Sequence, residues 1–423
     1  MSRSIDWRRI YSPLWMRSKT IEIGIRTLRK VHNVTRVDIE SIPISNSRRV
    51  SMDQLRKFWH SLYDKLQLDA GINLFFLFIC IGTTCVIFAE DPRNNEWELT
   101  ETIWNFGIIS SCDIGLDLTP IEYFKSDYCF NPDRYRNIQN GDIVWVKCRF
   151  LVEFYRRVLF KIQNPFVMVI SDGDESFPSD SGLRSKIIEK LINSDKVIHI
   201  FAQNCDYNGS SNKVTHMPIG MDFHTIAYKD ATGGWGEIGS PLEQENILKN
   251  YLITFKPTHM RKKKAFVDFQ HSDSMRGGEF KRYLQFGEDR TSIFNRLVGT
   301  GLIDFSDWMR RSSLWLTKGQ YAFSISPHGN GLDCHRTWED LVLGCIVIVK
   351  TSPLDKMYKG LPVVIVNDWD EITPENLEIW LEQYKDAFTN PAYRKKLTLQ
   401  YWLKQIKDVA YPYKNKINTC GSL

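Results

Sequence analysis

A chain of 423 residues, 43% apolar and 13% aromatic, is long enough to bury two cores of ordinary size. Its formal charge of +5 is concentrated, because residues 1–69 carry fourteen Lys/Arg against seven Asp/Glu, a net +7 that leaves the rest at −2. The larger part is therefore not a basic protein and lacks the electrostatic basis for binding nucleic acid, and nine cysteines without a Cys-x-x-Cys pair exclude zinc-ribbon and thioredoxin chemistry.

Residues 1–69 read as a basic N-terminal tail. Residues 70–89 hold no charge and include Leu74-Phe75-Phe76-Leu77-Phe78-Ile79. As a helix they would span about 30 Å, the thickness of a bilayer's hydrocarbon core. The flanks are basic before the run and acidic after it, at Glu90, Asp91, Glu96, Glu98 and Glu101. This asymmetry predicts a single-pass type II signal anchor, with the bulk of the chain lumenal or extracytoplasmic. Two alternatives stand beside it: a cleavable signal peptide and secretion, if translation starts near Leu68, or a buried helix of a globular domain.

Residues 90–255 read as one α/β unit. Strands are predicted at 142–147, 166–170, 197–201 and 214–219, with helices at 150–161 and at 183–191, the latter capped by Ser181. Strand, helix, strand at this spacing implies a parallel sheet. Turn-rich segments at 232–241, a helix at 242–250 and the run Arg261-Lys262-Lys263-Lys264 mark a change of domain. A second α/β unit, 256–375, follows, with strands at 265–269, 302–303, 321–325 and 344–349 and helices at 290–298 and 314–318. Residues 376–423 form a helical tail, with amphipathic helices predicted at 374–388 and 392–407.

The segment Ser326-Pro327-His328-Gly329-Asn330-Gly331 leaves a short apolar strand and leads into a segment of helical spacing. A strand, glycine turn and helix start can present backbone N–H groups to a phosphate, with Asn330 able to adopt a left-handed backbone. Arg336 and Glu339 stand three apart and so share a helix face, one a cation for a diphosphate, the other an acceptor for ribose hydroxyls. A surface ion pair is the plainer account of that spacing. His328 and His335 are candidates for phosphate or sugar contacts.

Ser171-Asp172-Gly173-Asp174 follows a buried strand, and Met221-Asp222-Phe223-His224 follows another. Ends of parallel strands face the ligand crevice of open α/β sheets, so Asp172, Asp174, Asp222 and His224 are the candidate general bases. Asp172 and Asp174 also allow a GT-A reading, in which two carboxylates hold a divalent metal. Lys262 to Lys264, Arg276 and Gly277-Gly278 stand near the start of the second unit. Asn208-Gly209-Ser210 fits a glycosylation acceptor, and a disulfide is allowed among Cys112, Cys129, Cys148 and Cys205.

Residues 320–372 resemble the C-terminal half of exostosin-like glycosyltransferases, glycosyltransferase family 47 and its relatives. The resemblance rests on Ser326-Pro327-His328-Gly329-Asn330-Gly331, Arg336-Thr337-Trp338-Glu339 and Gly344-Cys345-Ile346-Val347-Ile348, and continues through Ser352-Pro353-Leu354, Leu361-Pro362-Val363 and Asp368-Trp369. A weaker echo lies at 217–224. His328 departs from the arginine, and Val347 from the proline, often found at these places.

The resemblance implies a GT-B fold of two Rossmann-like domains facing a cleft, with the donor held by the C-terminal one and a C-terminal helix crossing back to the first. It implies transfer of a hexosyl or pentosyl unit from a nucleotide-diphosphate sugar to a glycan or glycoprotein hydroxyl, with inversion and without a metal or other cofactor. The implied donor-binding residues are His328, Gly329, Asn330, Gly331, His335, Arg336 and Glu339. The rival classes are the metal-dependent GT-A transferase and a non-catalytic glycan-binding scaffold.

Overall fold

The computed structural model describes residues 100–116, 118, 122–123, 129–228, 235–236, 239–271, 284–285, 289–306 and 308–414. The basic tail, the expected anchor at 70–89, and Arg276 with Gly277-Gly278 lie outside the described residues. Among those described, no helix is long and apolar enough to cross a membrane.

The architecture is mixed α/β with two parallel sheets. The first follows helix α1 (Asn105–Ser110) and runs in the order β1 (Ile143–Val146), β2 (Phe166–Ile170), β3 (Val197–Ala202), β4 (Val214–His216). All its pairings are parallel, and helix α2 (Ser185–Ile192) connects β2 to β3. Every residue of β1 and β2 is buried, which explains why both read as continuous apolar runs rather than as alternation.

Helix α3 (Pro241–Leu252) leads to the second sheet. Pro241 fills a first-turn position whose N–H would be orphaned, and Ser240 and Glu243 complete a capping box. The second sheet runs β6-β5-β7-β8-β9, also all parallel, from β5 (Lys262–Val267), β6 (Ile303–Phe305), β7 (Tyr321–Ile325), β8 (Ile346–Lys350) and β9 (Val363–Val366). Its helices are α4 (Arg290–Leu297), α5 (Arg311–Lys318), α6 (His335–Val342) and α7 (Pro374–Tyr384), and α8 (Leu399–Lys414) ends the described chain.

Strand periodicity divides the apolar residues among three clusters. Ile143 and Trp145 of β1, with Val347 and Val349 of β8, belong to one core that also takes Trp402 and Ile406 of α8. Val144 and Val146 join a second core on the other face of the first sheet, and Ile346 and Ile348 a third on the second sheet. Helix α8 packs on β1, β2 and β3, so the chain returns to its first sheet after finishing the second.

Four local expectations change. Strand β4 stops at His216 rather than 219, because residues beyond it pair with another segment: Met221 N–H donates to Ile103 O (2.8 Å) and Gly220 bridges Trp104. Gly220 has φ +71°, and a Cβ there would lie 2.3 Å from Ile103 O, so glycine is needed for this close approach. Strand β5 begins inside the lysine run, with Lys263 paired to Glu378 and Lys264 to Asp304 (both 2.8 Å), one contact to the helix Pro374–Tyr384 and one to the adjacent strand β6. Ser181 lies upstream of α2, whose N-cap is Arg184; the serine hydroxyl donates to Pro178 O instead. The second tail helix is two helices, Pro391–Lys396 and α8, because Leu397 O accepts from Ile103 N–H (2.9 Å) and Thr398 bridges Thr102 between them.

Candidate functional site

The glycine segment lies at the C-terminal end of β7, but its geometry differs from an open phosphate cradle. Gly329, Asn330 and Gly331 all keep negative φ, so the glycines serve close approach rather than a left-handed turn. Gly329 N–H is engaged by Gly331 O (3.1 Å). A Cβ at Gly329 would fall 2.6 Å from the Arg290 guanidinium, and one at Gly331 would fall 3.0 Å from the Asn204 amide. Arg290 Nε donates to His328 O (3.1 Å), and His328 Nδ1 donates to Leu332 O (2.8 Å). Asn330 is exposed.

Asn204 and Asp333 fasten this loop to the first sheet. Asn204, at φ +48°, donates from Nδ2 to Gly173 O (2.8 Å) and accepts at Oδ1 from Asp333 N–H (2.7 Å). Asp333 accepts from Ile219 N–H (2.8 Å) and Trp338 Nε1 (2.8 Å). The loops after β2, β3, β4 and β7 therefore meet at one amide and one carboxylate. Asn204 belongs to no motif, and Asp333, although it closes the glycine segment after β7, carried no signal of this role because it acts across the fold.

Burial raises the Asp333 carboxyl from 3.8 to about 6, against the pull of its N–H donors. A folded-state pKa above the unfolded one gives stability that is complete below about pH 4 and lost as pH rises through about 6. Asp333→Asn is expected to flatten that part of the stability profile. Urea melts from pH 4 to 7 check this, and an unchanged slope in the variant would refute the assignment.

Arg336 and Glu339, expected on one face of one site, diverge. Arg336 Nε lies 2.8 Å from Asp268 Oδ1, just past β5, and its guanidinium covers the Phe269 ring at 5.7 Å. Asp268 Oδ2 also meets Lys318 Nζ at 2.6 Å, and Lys318 meets Asp340 Oδ1 at 2.6 Å. The Ser324 hydroxyl donates to Asp340. Burial pushes Asp268 up, but Lys318 and Arg336 outweigh it and hold the carboxyl below its ordinary range. Arg336 thus has a resident carboxylate partner, as a largely buried guanidinium requires, and that partner is Asp268 rather than Glu339.

Glu339 turns the other way, toward Arg311. Arg311 Nη2 lies 3.2 Å from Asp222 Oδ2 and 3.6 Å from Glu339 Oε1, and Nη1 donates to Gln244 Oε1 at 3.0 Å. Asp222 Oδ1 stands 3.0 Å from His224 Nδ1 and accepts from Thr225 N–H (3.0 Å). His335, the first residue of α6, donates from Nδ1 to Gly220 O (2.7 Å), and its ring centroid is 5.3 Å from that of His224. Asp222, His224, His335 and Glu339 are thus brought together from both sheets around Arg311, which the sequence reading missed. Burial would raise the Asp222 carboxyl, but His224, Arg311 and His335 outweigh it and hold it well below the carboxylate range.

Ligand atoms of Asp222, His224 and His335 lie within 4.8 Å of one another, a grouping able to hold a metal ion. The Arg311 guanidinium already supplies positive charge to the same carboxylate. Asp172 and Asp174 differ in their surroundings. Asp172 is buried, bonded to Lys147 Nζ (2.8 Å), to the Tyr123 hydroxyl and to Asn105 Nδ2 (3.4 Å), whereas Asp174 is exposed. One carboxylate is thus engaged inside the first sheet's loops and the other lies at the surface, unlike settings for two ligands of one cation. Asp172 does sit close enough for its charge to couple to His224.

Burial pushes the Cys345 thiol up to about 12, the state of a packed rather than a reactive cysteine. Asn208-Gly209-Ser210 is exposed.

No family model matches the chain, and no curated protein matches it. Among solved structures, one described as "OtsA apo structure" shares 12% identity over 65% of this chain and 72% of its own, with a TM-score of 0.31. Another, described as "Crystal structure of GtfA/B complex", shares 11% identity over 65% of this chain and 55% of its own, with a TM-score of 0.26. Likenesses this distant carry no argument for this chain.

Proposed function

We propose that this chain is a glycosyltransferase that moves a sugar from a nucleotide-diphosphate donor to a hydroxyl of a glycan or glycoprotein, within a GT-B arrangement of donor and acceptor halves. The observation that carries the reading is the meeting of the Asp222–His224 pair with His335 and Glu339 of α6, beside the loop that follows β7. In the proposed reaction Asp222 orients His224 through Nδ1, leaving Nε2 to take the proton of the acceptor hydroxyl. The acceptor oxygen forms a bond to the anomeric carbon as the bond to the diphosphate breaks, and the electron pair leaves with the nucleotide. A single displacement of this kind inverts the anomeric carbon.

The diphosphate is assigned to the side of Gly329 and Gly331 nearest Arg290 and Arg336. Lys318 and Arg336 share Asp268, Lys318 also holds Asp340, and the charges of Arg290 and Glu339 reach the same cluster. His328 and Asn330 lie on the same loop and are assigned to the donor. Residues 70–89 are assigned to a membrane anchor that holds the enzyme on the extracytoplasmic side.

The test is a donor screen with the purified full-length chain, glycan acceptors and a panel of nucleotide sugars, reading released nucleoside diphosphate. Release with at least one donor is expected, and chelation of divalent metals should leave it unchanged. No release and no nucleotide binding with any donor would sink the reading in favour of a scaffold; loss on chelation would sink its metal-free form.

A further inference from the structure

A cavity of about 770 Å³ opens at the opposite end of the second sheet from the loop after β7. Arg261 and Gly344, on its wall, directly precede or approach the starts of β5 and β8, whereas Asp268 and Ser326 follow the ends of β5 and β7. The volume is that of an ordinary small-molecule pocket. Leu252 at the end of α3, Leu341 in α6, and Phe388 and Leu397 from the returning segment give it apolar walls.

Its charge is one-sided. Five Lys/Arg line it against two Asp/Glu. Lys249 is paired with Glu101 and Glu245, and Lys385 with Glu382, which leaves Lys256, Arg261 and Arg394 facing Asp386. Arg261 is the central member. It is half-buried and lies over the Phe255 ring at 5.5 Å. It donates from Nε to Lys256 O (2.8 Å) and from Nη1 to Leu343 O (3.0 Å). No carboxylate pairs with it among the described residues, and burial pulls its pKa down. The two carbonyls, that of Leu343 at the end of α6 and that of Lys256 nearby in the chain, account for Nη1 and Nε, but they supply no countercharge. Gly344 keeps the approach to Nη2 clear, because a Cβ there would lie 2.9 Å from it.

We infer that this cavity binds a small organic oxyanion, its phosphate or carboxylate head on Arg261 and Lys256 and its flat apolar body against Phe255 and Leu341. This goes beyond the proposed transfer reaction and does not rest on it. An occupant would lie between the chain segments that join the two sheets, α3 on one side and residues 385–398 on the other.

The test is calorimetric titration of the full-length protein with phenyl phosphate and with benzoate, each compared with inorganic phosphate. At least one aromatic anion should bind, more tightly than inorganic phosphate, and its identity names the head group. Arg261→Met and the exposed Lys256→Glu should each weaken binding about tenfold or more, while His224→Gln should leave it unchanged. Because Lys256 lies on the surface, its variant reports on the ligand even if Arg261→Met folds poorly. The inference fails if neither aromatic anion binds, if Lys256→Glu binds as the parent does, or if His224→Gln abolishes binding and so places the anion at the other site.

Discussion

Replacement of His224 by glutamine should lower turnover by about 10²- to 10⁴-fold while KM for the donor stays within about twofold. Glutamine keeps a donor for Asp222 and a similar reach, so the 3.0 Å contact to Oδ1 survives, but it has no basic nitrogen to take the acceptor proton. The transition state loses its proton acceptor, and the ground state loses little. The acid limb of the pH–rate profile should vanish with the imidazole. Asp222→Asn should reduce turnover too, because an amide can hold the imidazole in the wrong tautomer, and it also removes the partner of Arg311 at 3.2 Å. Steady-state kinetics of His224→Gln decide the matter: turnover within about threefold of the parent would remove His224 as the base.

Lys318→Met should be the most destabilising single substitution in the molecule, by about 3–5 kcal/mol. Lys318 is fully buried and touches two carboxylates, Asp268 and Asp340, at 2.6 Å each. Methionine fills the stem's volume but leaves Asp340, itself fully buried, without its ion-pair partner, and leaves Asp268 paired with Arg336 under the more distant charge of Arg290. The deficit should shrink as pH falls below about 6, where Asp340 takes up a proton and its buried charge disappears, while Asp268 keeps Arg336. Adding Asp340→Asn should restore part of the loss, a coupling measurable by a double-mutant cycle in denaturant melts. A loss below about 1 kcal/mol would show that the network does not hold the second sheet together.

The regular elements were legible because their signals are local. Short apolar runs placed β2, β3 and β7 within about one residue and β8 within about two, since strands largely buried on both faces carry mostly apolar side chains. Where the reading slipped, a distant segment intervened. β4 ends early because Gly220 pairs with Trp104, and the tail helix breaks where Leu397 and Thr398 meet residues 102–103. Neither partner can be recognised from its own neighbourhood.

The sequence by itself determined an α/β chain with two parallel sheets, a helix-starting glycine segment after β7, and the acids and histidines that follow the strands, because periodicity and turn chemistry are properties of contiguous residues. Only the tertiary structure decided which of those residues meet. Helical spacing put Arg336 and Glu339 on one face, yet Asp268 draws the arginine toward β5 and Arg311 draws the glutamate toward Asp222 and His224. A buried charge takes the partner that lies closest in space, and that partner is set by packing, which sequence spacing does not record.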